Sequence, residues 1–345
     1  MTTAERPASP TQAHPETHAR PDAILSAQAR PAPSSAGLPE RVGTVWMDGM
    51  FRSGSEAATS ILTHSLHYGT AVFEGLRVYE GTCFASRPHY ERLQASARAL
   101  GYVVPADVDT LVAATDELIA ANGIREGYVR AICWLGSDSL GLMAGDLTVH
   151  VAIAMWEWPQ VHALDGEDAG IRLHLSQARR PDAHTLPPQA KAAGGYLIGT
   201  MAYHAAKRHG CDDAILLDQE GLLAESSSAN LFLVRDGVLL TPIADRFLNG
   251  LTRQTVLHLA ADLGVELYER RLGVEALASA DEIFLAGTAV EILPVTAVDG
   301  TQLSVGPVTR RLRAAYAQCV RAGPAAVPPI GPPITPSMAS PAQAS

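Results

Sequence analysis

The segment Leu222-Leu-Ala-Glu-Ser-Ser-Ser-Ala-Asn-Leu-Phe-Leu-Val234 decides how the second half of the chain folds. It predicts two apolar strands joined by small hydroxylated residues, with Glu225 at the end of the first strand. A solvated charge at a strand end is one interpretation of this carboxylate. If the carboxylate is buried, it needs a partner.

The residues around this segment predict a mixture of strands and helices. Apolar runs bounded by turn residues favour strands, and apolar spacing closed by glycine favours helices. The predicted strands are Ile171–Ser176, Ala214–Leu217 paired with Leu222–Ala224, Leu231–Val234 paired with Val238–Leu240 across Asp236-Gly237, Glu266–Arg271 and Glu282–Leu285. The predicted helices run from about Gly195 to His209 and from Thr252 to about Leu263. We expect the two short strands at 266–271 and 282–285 to finish the folded body.

The first half of the chain predicts a smaller unit of the same kind. Its strands are a pair over Thr44–Arg52 around Asp48-Gly49, then Tyr128–Trp134 and Thr148–Met155. Its helices are one capped by Ser86 that ends at Leu100, and one from about Pro105 to Gly123. Strands and helices arranged in two halves without strict alternation predict an α+β protein of two domains.

Proline marks the two ends of the chain. Residues 1–42 and 323–345 together contain 14 of the 23 prolines. Such segments bury too little apolar surface to offset the entropy of ordering, so we predict disordered tails. A transit peptide is disfavoured because acidic residues lie in the first tail. The expected boundaries are a tail at 1–42, a small domain at 43–158, an interdomain loop at 159–170, a large domain at 171–322 and a tail at 323–345.

Composition excludes several classes of function. The formal net charge of −10 argues against nucleic acid as a partner, since such proteins usually carry a basic surplus. No apolar run is long enough to span a bilayer, and the N-terminus lacks the apolar core of a signal peptide. The four cysteines form no CxxC pair, so neither a zinc site nor a disulfide framework is predicted. We therefore expect a cytoplasmic protein that binds no membrane and no metal.

Lysine is so rare that any lysine chemistry has two candidates. Only Lys191 and Lys207 occur among 26 basic residues. Lys207 precedes a helix-ending glycine, where a cation stabilises exposed carbonyl groups, and that role accounts for it. Lys191 lies in Gln189-Ala-Lys-Ala-Ala-Gly-Gly-Tyr196, a run of small residues that leaves room beside the amine. A chemical role and a structural role are both open for Lys191.

Two further segments predict anion binding. Gly250-Leu-Thr252 places backbone N–H groups and a hydroxyl at a helix N-terminus, and Gly287-Thr-Ala289 follows a strand as a second small-residue turn. An amine, a carboxylate and an anion site together suggest pyridoxal 5′-phosphate, which carries an aldehyde, a ring nitrogen and a phosphate.

Four motifs of the chain resemble those of the class IV pyridoxal-phosphate aminotransferases, and most closely those of the branched-chain amino acid aminotransferases. The resemblance covers nearly all of 43–322. The motifs are Thr63-His-Ser-Leu-His-Tyr-Gly-x-x-Val-Phe-Glu-Gly75, Lys191-Ala-Ala-Gly-Gly-Tyr196, Glu225-x-Ser-x-x-Asn-Leu-Phe232 followed by Leu248-x-Gly-Leu-x-Arg253, and Gly287-Thr-Ala-x-Glu291. The implied fold is the two-domain α+β fold of the D-amino acid aminotransferase-like enzymes.

The resemblance implies a role for each matching residue. Lys191 would hold the cofactor and carry the proton during catalysis, and Glu225 would keep the ring nitrogen protonated. Tyr196 would reach the 3′-oxygen. The phosphate would be bound by Arg92, Leu251, Thr252 and Thr288. The substrate would contact Tyr68, Phe73, Tyr128, Arg130, Thr288 and Ala289. At Arg92, a solvated helix arginine would be the preferred interpretation without the family match.

The pair Tyr128 and Arg130 indicates the substrate class. Alternate residues of a strand face the same side, so the phenol and the guanidinium point into one space. In branched-chain enzymes this pair lets one pocket accept an aliphatic side chain and the distal carboxylate of glutamate. The expected reaction is ping-pong transamination of leucine, isoleucine or valine with 2-oxoglutarate, in branched-chain amino acid biosynthesis. The family also implies at least a homodimer, with Tyr68 near the subunit boundary.

Departures from the family pattern keep other functions open. Ala131 stands where proline is common, Asn249 stands where proline or aspartate is usual, and the loop at 156–170 lacks an aromatic Gly-x-Tyr run. The alternatives are a biosynthetic aminotransferase for an unusual amino or keto acid, and a relative of aminodeoxychorismate lyase or D-amino acid aminotransferase. A non-catalytic cofactor-binding protein is a third hypothesis, which intact Lys191 and Glu225 disfavour.

Overall fold

A computed structural model describes residues 43–143, 145–158, 166, 168–323 and 327–330. The predicted tails, apart from residues 323 and 327–330, and most of the predicted loop at 159–170 lie outside these residues. The predicted division into domains stays a prediction.

The first sheet contains six antiparallel strands and packs against two helices. Its spatial order is β2-β1-β6-β5-β3-β4. The strands are β1 (Thr44–Met47), β2 (Met50–Ser53), β3 (Val72–Tyr79), β4 (Thr82–Cys83), β5 (Gly127–Leu135) and β6 (Val149–Glu157). The helices of this half are α1 (His64–Tyr68), α2 (Ser86–Ala99) and α3 (Val108–Asn122). Leu76, Leu93 and Leu118 are fully buried where β3, α2 and α3 meet.

Among the described residues, the second sheet contains nine strands and closes on itself, because Glu225 in the strand at one end of the order pairs with Asn230. Eight of its strands lie in the order β12-β11-β10-β13-β14-β7-β8-β9, and β15 pairs with β14. The strands are β7 (Ile171–Arg179), β8 (Asp213–Leu217), β9 (Leu223–Ser226), β10 (Asn230–Arg235), β11 (Val238–Pro242), β12 (Leu267–Arg270), β13 (Glu282–Gly287), β14 (Glu291–Val298) and β15 (Thr301–Gln302). The helices are α4 (Tyr196–Arg208), α5 (Leu251–Asp262), α6 (Glu275–Ala278) and α7 (Pro307–Cys319).

Strand β10 is apolar at successive positions because its side chains alternate between two buried faces. Phe232 packs with Phe284 and with α5 and α7 on one face. Leu231 and Leu233 join a second apolar cluster on the other face. A strand buried on both sides needs apolar residues at every position.

Turn conformation confirms two of the three predicted hairpins. Asp48-Gly49 and Asp236-Gly237 connect β1 to β2 and β10 to β11, and all four residues have positive φ. Two-residue hairpin turns of this type require that conformation, which glycine and aspartate adopt readily.

Several predicted boundaries are wrong. The helix predicted from Pro105 begins at Val108, because the Asp107 side chain accepts a bond from the Thr110 N–H at 2.8 Å and acts as N-cap. Ser86 is the first residue of α2 and not its cap, since Ala85 occupies that position. The body does not finish at Leu285, because β14, β15 and α7 follow.

Candidate active site

Lys191 lies on a segment that is fixed to the first sheet. Its backbone N–H donates to Ser96 Oγ at 2.9 Å, and its carbonyl accepts from the Phe73 N–H at 3.1 Å. The Ala193 N–H donates to the Ala71 carbonyl at 2.8 Å. The lysine is therefore anchored by strand-like bonds to β3 and by α2.

The amine of Lys191 points at aromatic side chains. Nζ donates to the Tyr196 hydroxyl at 2.7 Å and lies 4.9 Å from the ring centres of Phe73 and Tyr196. Lys207, in contrast, is exposed near the end of α4, with its Nζ 3.8 Å from Asp212. The structural account of Lys207 is sufficient, and Lys191 is the candidate for chemistry.

Glu225 is buried beside this amine. Its Oε1 lies 3.3 Å from Arg180 Nε, and its Oε2 accepts from Asn230 Nδ2 at 3.4 Å. Burial raises the pKa of Glu225 to about 7, although Arg180 and Lys191 act to lower it. The first interpretation of this residue, a solvated charge, is wrong because only 8% of its surface is exposed.

Asn230 connects the strand end to the start of α5. Its Oδ1 accepts from the Gly250 N–H at 3.2 Å, and its Nδ2 donates to the Leu248 carbonyl at 3.0 Å. A Cβ on Gly250 would lie 2.3 Å from Asn230 Oδ1, so only glycine permits this approach. The α5 N-terminus is thereby held next to Glu225. Helix α5 starts at Leu251, one residue earlier than predicted.

A single cleft collects these groups. Arg92 enters it from α2, Leu251 and Thr252 from the start of α5, and Thr288 from the turn after β13. Arg92 is buried, with 5% of its surface exposed, and its Nη1 has no hydrogen-bond partner among the described residues. A buried, unpartnered guanidinium nitrogen beside a helix N-terminus is suited to an anion.

The predicted substrate residues form a neighbouring group. The Arg130 guanidinium lies 4.8 Å from the Phe73 ring centre, and its Nη2 donates to the Tyr128 hydroxyl at 3.4 Å. Tyr128 packs against Trp156 and Trp158. A Cβ on Gly75 would lie 1.8 Å from the Tyr128 hydroxyl, so this glycine makes room for the phenol. Phe73 therefore contacts both the Lys191 amine and the Arg130 guanidinium.

Tyr68 lies apart from the cleft. It ends α1, is 40% exposed, and its hydroxyl donates to the Leu140 carbonyl at 2.9 Å. It lines an apolar cavity next to β5 and β6. Ala289 is half-buried in the turn that contains Thr288. The substrate roles of Tyr68 and Ala289 stay predictions.

Sequence reasoning missed the partners that hold these side chains. Arg180 was assigned no role, because nothing in Arg179-Arg180-Pro181 distinguishes it from a surface arginine. Glu74 and Asn230 stand inside the quoted motifs, which was a usable signal. Within the described residues no cluster of side chains is arranged to bind a metal ion. No described helix has the length and apolarity to cross a membrane.

The chain is similar to known proteins along most of its length. A family model described as amino-transferase class IV matches residues 71–298. A branched-chain-amino-acid aminotransferase of Pseudomonas aeruginosa is 38% identical over 286 residues, which are 81% of this chain and 93% of that protein.

Solved structures of similar proteins share the fold. A branched-chain aminotransferase of Thermoproteus uzoniensis with norvaline has a TM-score of 0.78 and 38% identity, covering 81% of this chain and 95% of that chain. A branched-chain amino acid aminotransferase of Thermobaculum terrenum in its pyridoxal 5′-phosphate holo form has a TM-score of 0.74 and 30% identity, covering 82% and 95%. The chain belongs to the class IV aminotransferases and has their α+β fold.

Proposed function

We propose that the chain is a pyridoxal 5′-phosphate-dependent aminotransferase that moves the amino group of leucine, isoleucine or valine to 2-oxoglutarate by a ping-pong mechanism. One observation carries the proposal. The Lys191 amine lies in a cleft with the buried Glu225 carboxylate and with Arg92 Nη1, which has no hydrogen-bond partner among the described residues.

The residues of the cleft fit the three functional groups of this cofactor. The Lys191 amine suits the aldehyde, the Glu225 carboxylate suits the ring nitrogen, and Arg92 with the α5 N-terminus suits the phosphate. When bound, the cofactor supplies an electron-withdrawing ring for chemistry at the α-carbon of the amino acid. The pyridoxal 5′-phosphate form of the Thermobaculum terrenum relative supports this assignment.

Lys191 acts as the proton carrier in this proposal. Its Nζ takes the proton from the α-carbon of the amino acid and returns a proton when the product is formed. Tyr196 holds the amine at 2.7 Å, and Ser96 and Phe73 hold the backbone of the lysine. These contacts restrict the amine to one position, which favours transfer over short distances.

Glu225 controls the proton on the ring nitrogen. Its carboxylate would accept a hydrogen bond from the protonated ring nitrogen and would keep the proton there. Arg180, at 3.3 Å, favours the ionised form of Glu225, against the burial that raises its pKa to about 7. A protonated pyridine ring beside Glu225 would lower the pKa of this carboxyl group, because the positive charge favours its ionised form.

Arg130 and its aromatic neighbours support the choice of substrate. Phe73 and Tyr128 offer aromatic surface to an aliphatic side chain, and Arg130 offers a cation to the distal carboxylate of 2-oxoglutarate. The names of the similar proteins favour branched-chain amino acids as well.

The surface around Tyr68 supports a homodimer. Ile61, Leu66 and Leu197 are 80%, 67% and 63% exposed, a concentration of apolar surface that association would cover. Sedimentation should detect at least a dimer, and an active monomer at assay concentration would contradict this part of the proposal. Cys83 and Cys133 are buried thiols that form no disulfide bond among the described residues, which fits a reducing compartment such as the cytoplasm.

Borohydride trapping tests the cofactor assignment. The full chain is loaded with pyridoxal 5′-phosphate, reduced with borohydride, digested and mapped. We expect the label on Lys191 in the wild type and in Lys207→Ala, and no label in Lys191→Ala. A label on Lys207, or on neither lysine, would refute the assignment.

Substrate assays then test the proposed amino donors and the proposed acceptor. Leucine, isoleucine and valine should each form glutamate from 2-oxoglutarate. If the cofactor is bound but none of the three is used, the enzyme acts on a different amino acid.

A further inference from the structure

Glu74 of β3 is a buried carboxylate that the proposed mechanism does not use. It has no exposed surface, and both of its oxygens are occupied. Oε1 accepts from Arg92 Nε at 2.7 Å, and Oε2 accepts from Arg92 Nη2 at 2.8 Å and lies 2.7 Å from His89 Nδ1. Two parallel bonds of this kind fix the plane of a guanidinium group.

This arrangement leaves one nitrogen of Arg92 for a ligand. Glu74 takes Nε and Nη2, while Nη1 is buried and has no partner within the part of the chain that the structure describes. Arg92 lines the cleft together with Thr252 and Thr288. A buried donor without a partner is unfavourable, so the site is completed when an acceptor binds there.

The charges of the group show what Glu74 contributes. Burial acts to raise the pKa of Glu74, but Arg92 and His89 hold it well below its usual range. Burial lowers the pKa of His89, so its ring is neutral at pH 7 and donates Nδ1–H to Glu74. The net charge of Glu74, Arg92 and His89 together is therefore zero. Glu74 thus reduces the attraction of this group for an anion, and any benefit it gives to anion binding must come from orientation.

We infer that Glu74 is a positioning residue for phosphate recognition, because it locks Arg92 in the orientation in which Nη1 meets the cofactor phosphate. This inference rests on the proposed function, which supplies the phosphate. His89 donates a hydrogen bond to Oε2 of Glu74 and so helps to hold the carboxylate in place.

A comparison of two ligands separates orientation from general stability. The full chain, freed of bound cofactor, is titrated with pyridoxal 5′-phosphate and with pyridoxal, which lacks the phosphate. We expect Glu74→Gln to reduce the preference for the phosphorylated ligand by about 10- to 100-fold, the scale of a charge-assisted hydrogen bond. Binding of pyridoxal should stay nearly unchanged.

Three variants complete the design. Arg92→Met should lose a similar share of the preference, and the double variant should lose little more than Arg92→Met alone. Asp109→Asn is the matched control, since it removes an arginine–carboxylate pair from Arg87 of the same helix α2 at an exposed position. Its preference should equal that of the wild type.

Each outcome bears on a different claim. A wild-type protein that binds neither ligand, or both equally, contradicts the proposed function. A wild-type preference that Glu74→Gln retains, or a loss of equal size for both ligands, overturns the positioning role. If Glu74→Gln does not fold, Glu74→Asp takes its place: it keeps the charge, but its shorter side chain cannot hold both nitrogens. An undiminished preference in Glu74→Asp would likewise overturn the inference.

Discussion

The cleft around Lys191 and the neighbouring group around Arg130 differ in how firmly this chain holds their polar groups. We call them the cofactor end and the substrate end, after the roles proposed for them. At the cofactor end, Lys191 is fixed through its backbone and its amine, and Glu225 lies between Arg180 and Asn230. At the substrate end, the guanidinium of Arg130 makes one long bond of 3.4 Å to Tyr128. Arg130 Nε and Trp158 Nε1 are buried without a partner among the residues that the structure describes.

This difference predicts two kinds of mutational effect. Groups already held in place act on every substrate alike, because their geometry does not wait for a particular ligand. At the substrate end, Arg130 Nε lacks a partner that a substrate can supply, so Arg130 should distinguish one substrate from another. Arg92 Nη1 also lacks a partner among the described residues, but the phosphate proposed to meet it is the same for every substrate. Substitutions at the two ends can sharpen or break this contrast.

The largest effect is expected at Glu225. Glu225→Gln should lower kcat by about 10²- to 10⁴-fold, because a neutral amide cannot hold the ring nitrogen in its protonated form. The loss should be equal for leucine and for glutamate as amino donors, and the cofactor should stay bound. Glu220→Gln, an exposed acid in the neighbouring turn, serves as the control.

Equal activity of Glu225→Gln and wild type would show that the carboxylate is structural. A loss confined to one amino donor would break the contrast between the two ends.

The stability of the cofactor-free protein should depend on pH through the same residue. The ordinary pKa of a glutamate is 4.5, and the folded protein raises that of Glu225 to about 7. Between these values the unfolded chain releases a proton that the folded chain keeps, so the free energy of unfolding falls as pH rises. The difference amounts to about 3 kcal/mol and is complete above pH 7.

Urea unfolding of wild type and Glu225→Gln from pH 4 to pH 8 checks this expectation. The wild type should lose about 3 kcal/mol relative to the variant as pH rises, since other groups contribute equally to both. A difference that does not change with pH would mean that Arg180 keeps Glu225 ionised throughout.

Local chemistry made much of the fold predictable. Helices α2, α3 and α5 end where Gly101, Gly123 and Gly264 adopt positive φ, a conformation that glycine supplies without strain. The hairpin at Asp236-Gly237 follows the same logic. These signals lie within a few residues of the feature that they determine.

Long-range contacts were beyond such reasoning. The role of Glu74 depends on β3 facing Arg92, which is 18 residues away, and that of Arg180 depends on a contact with Glu225. Strand β14 and helix α7 were missed although their segments are regular. Lys191, Glu225 and Arg130 were selected as candidates because the motifs or the strand alternation mark them.

The smallest effect is expected at the substrate end, from Arg130→Met. A charge-assisted contact between a guanidinium and a carboxylate contributes about 1.5–3 kcal/mol. The variant should therefore lower kcat/KM for 2-oxoglutarate by about 10- to 100-fold. The uncharged 4-methyl-2-oxopentanoate side chain makes no such contact, so its kcat/KM should stay within about threefold, because methionine preserves most of the apolar stem. Arg125→Met, at an exposed position before β5, controls for loss of an arginine from this strand region. Equal losses for both acceptors would show that Arg130 only supports Phe73 and Tyr128, and the substrate end would then behave like the cofactor end.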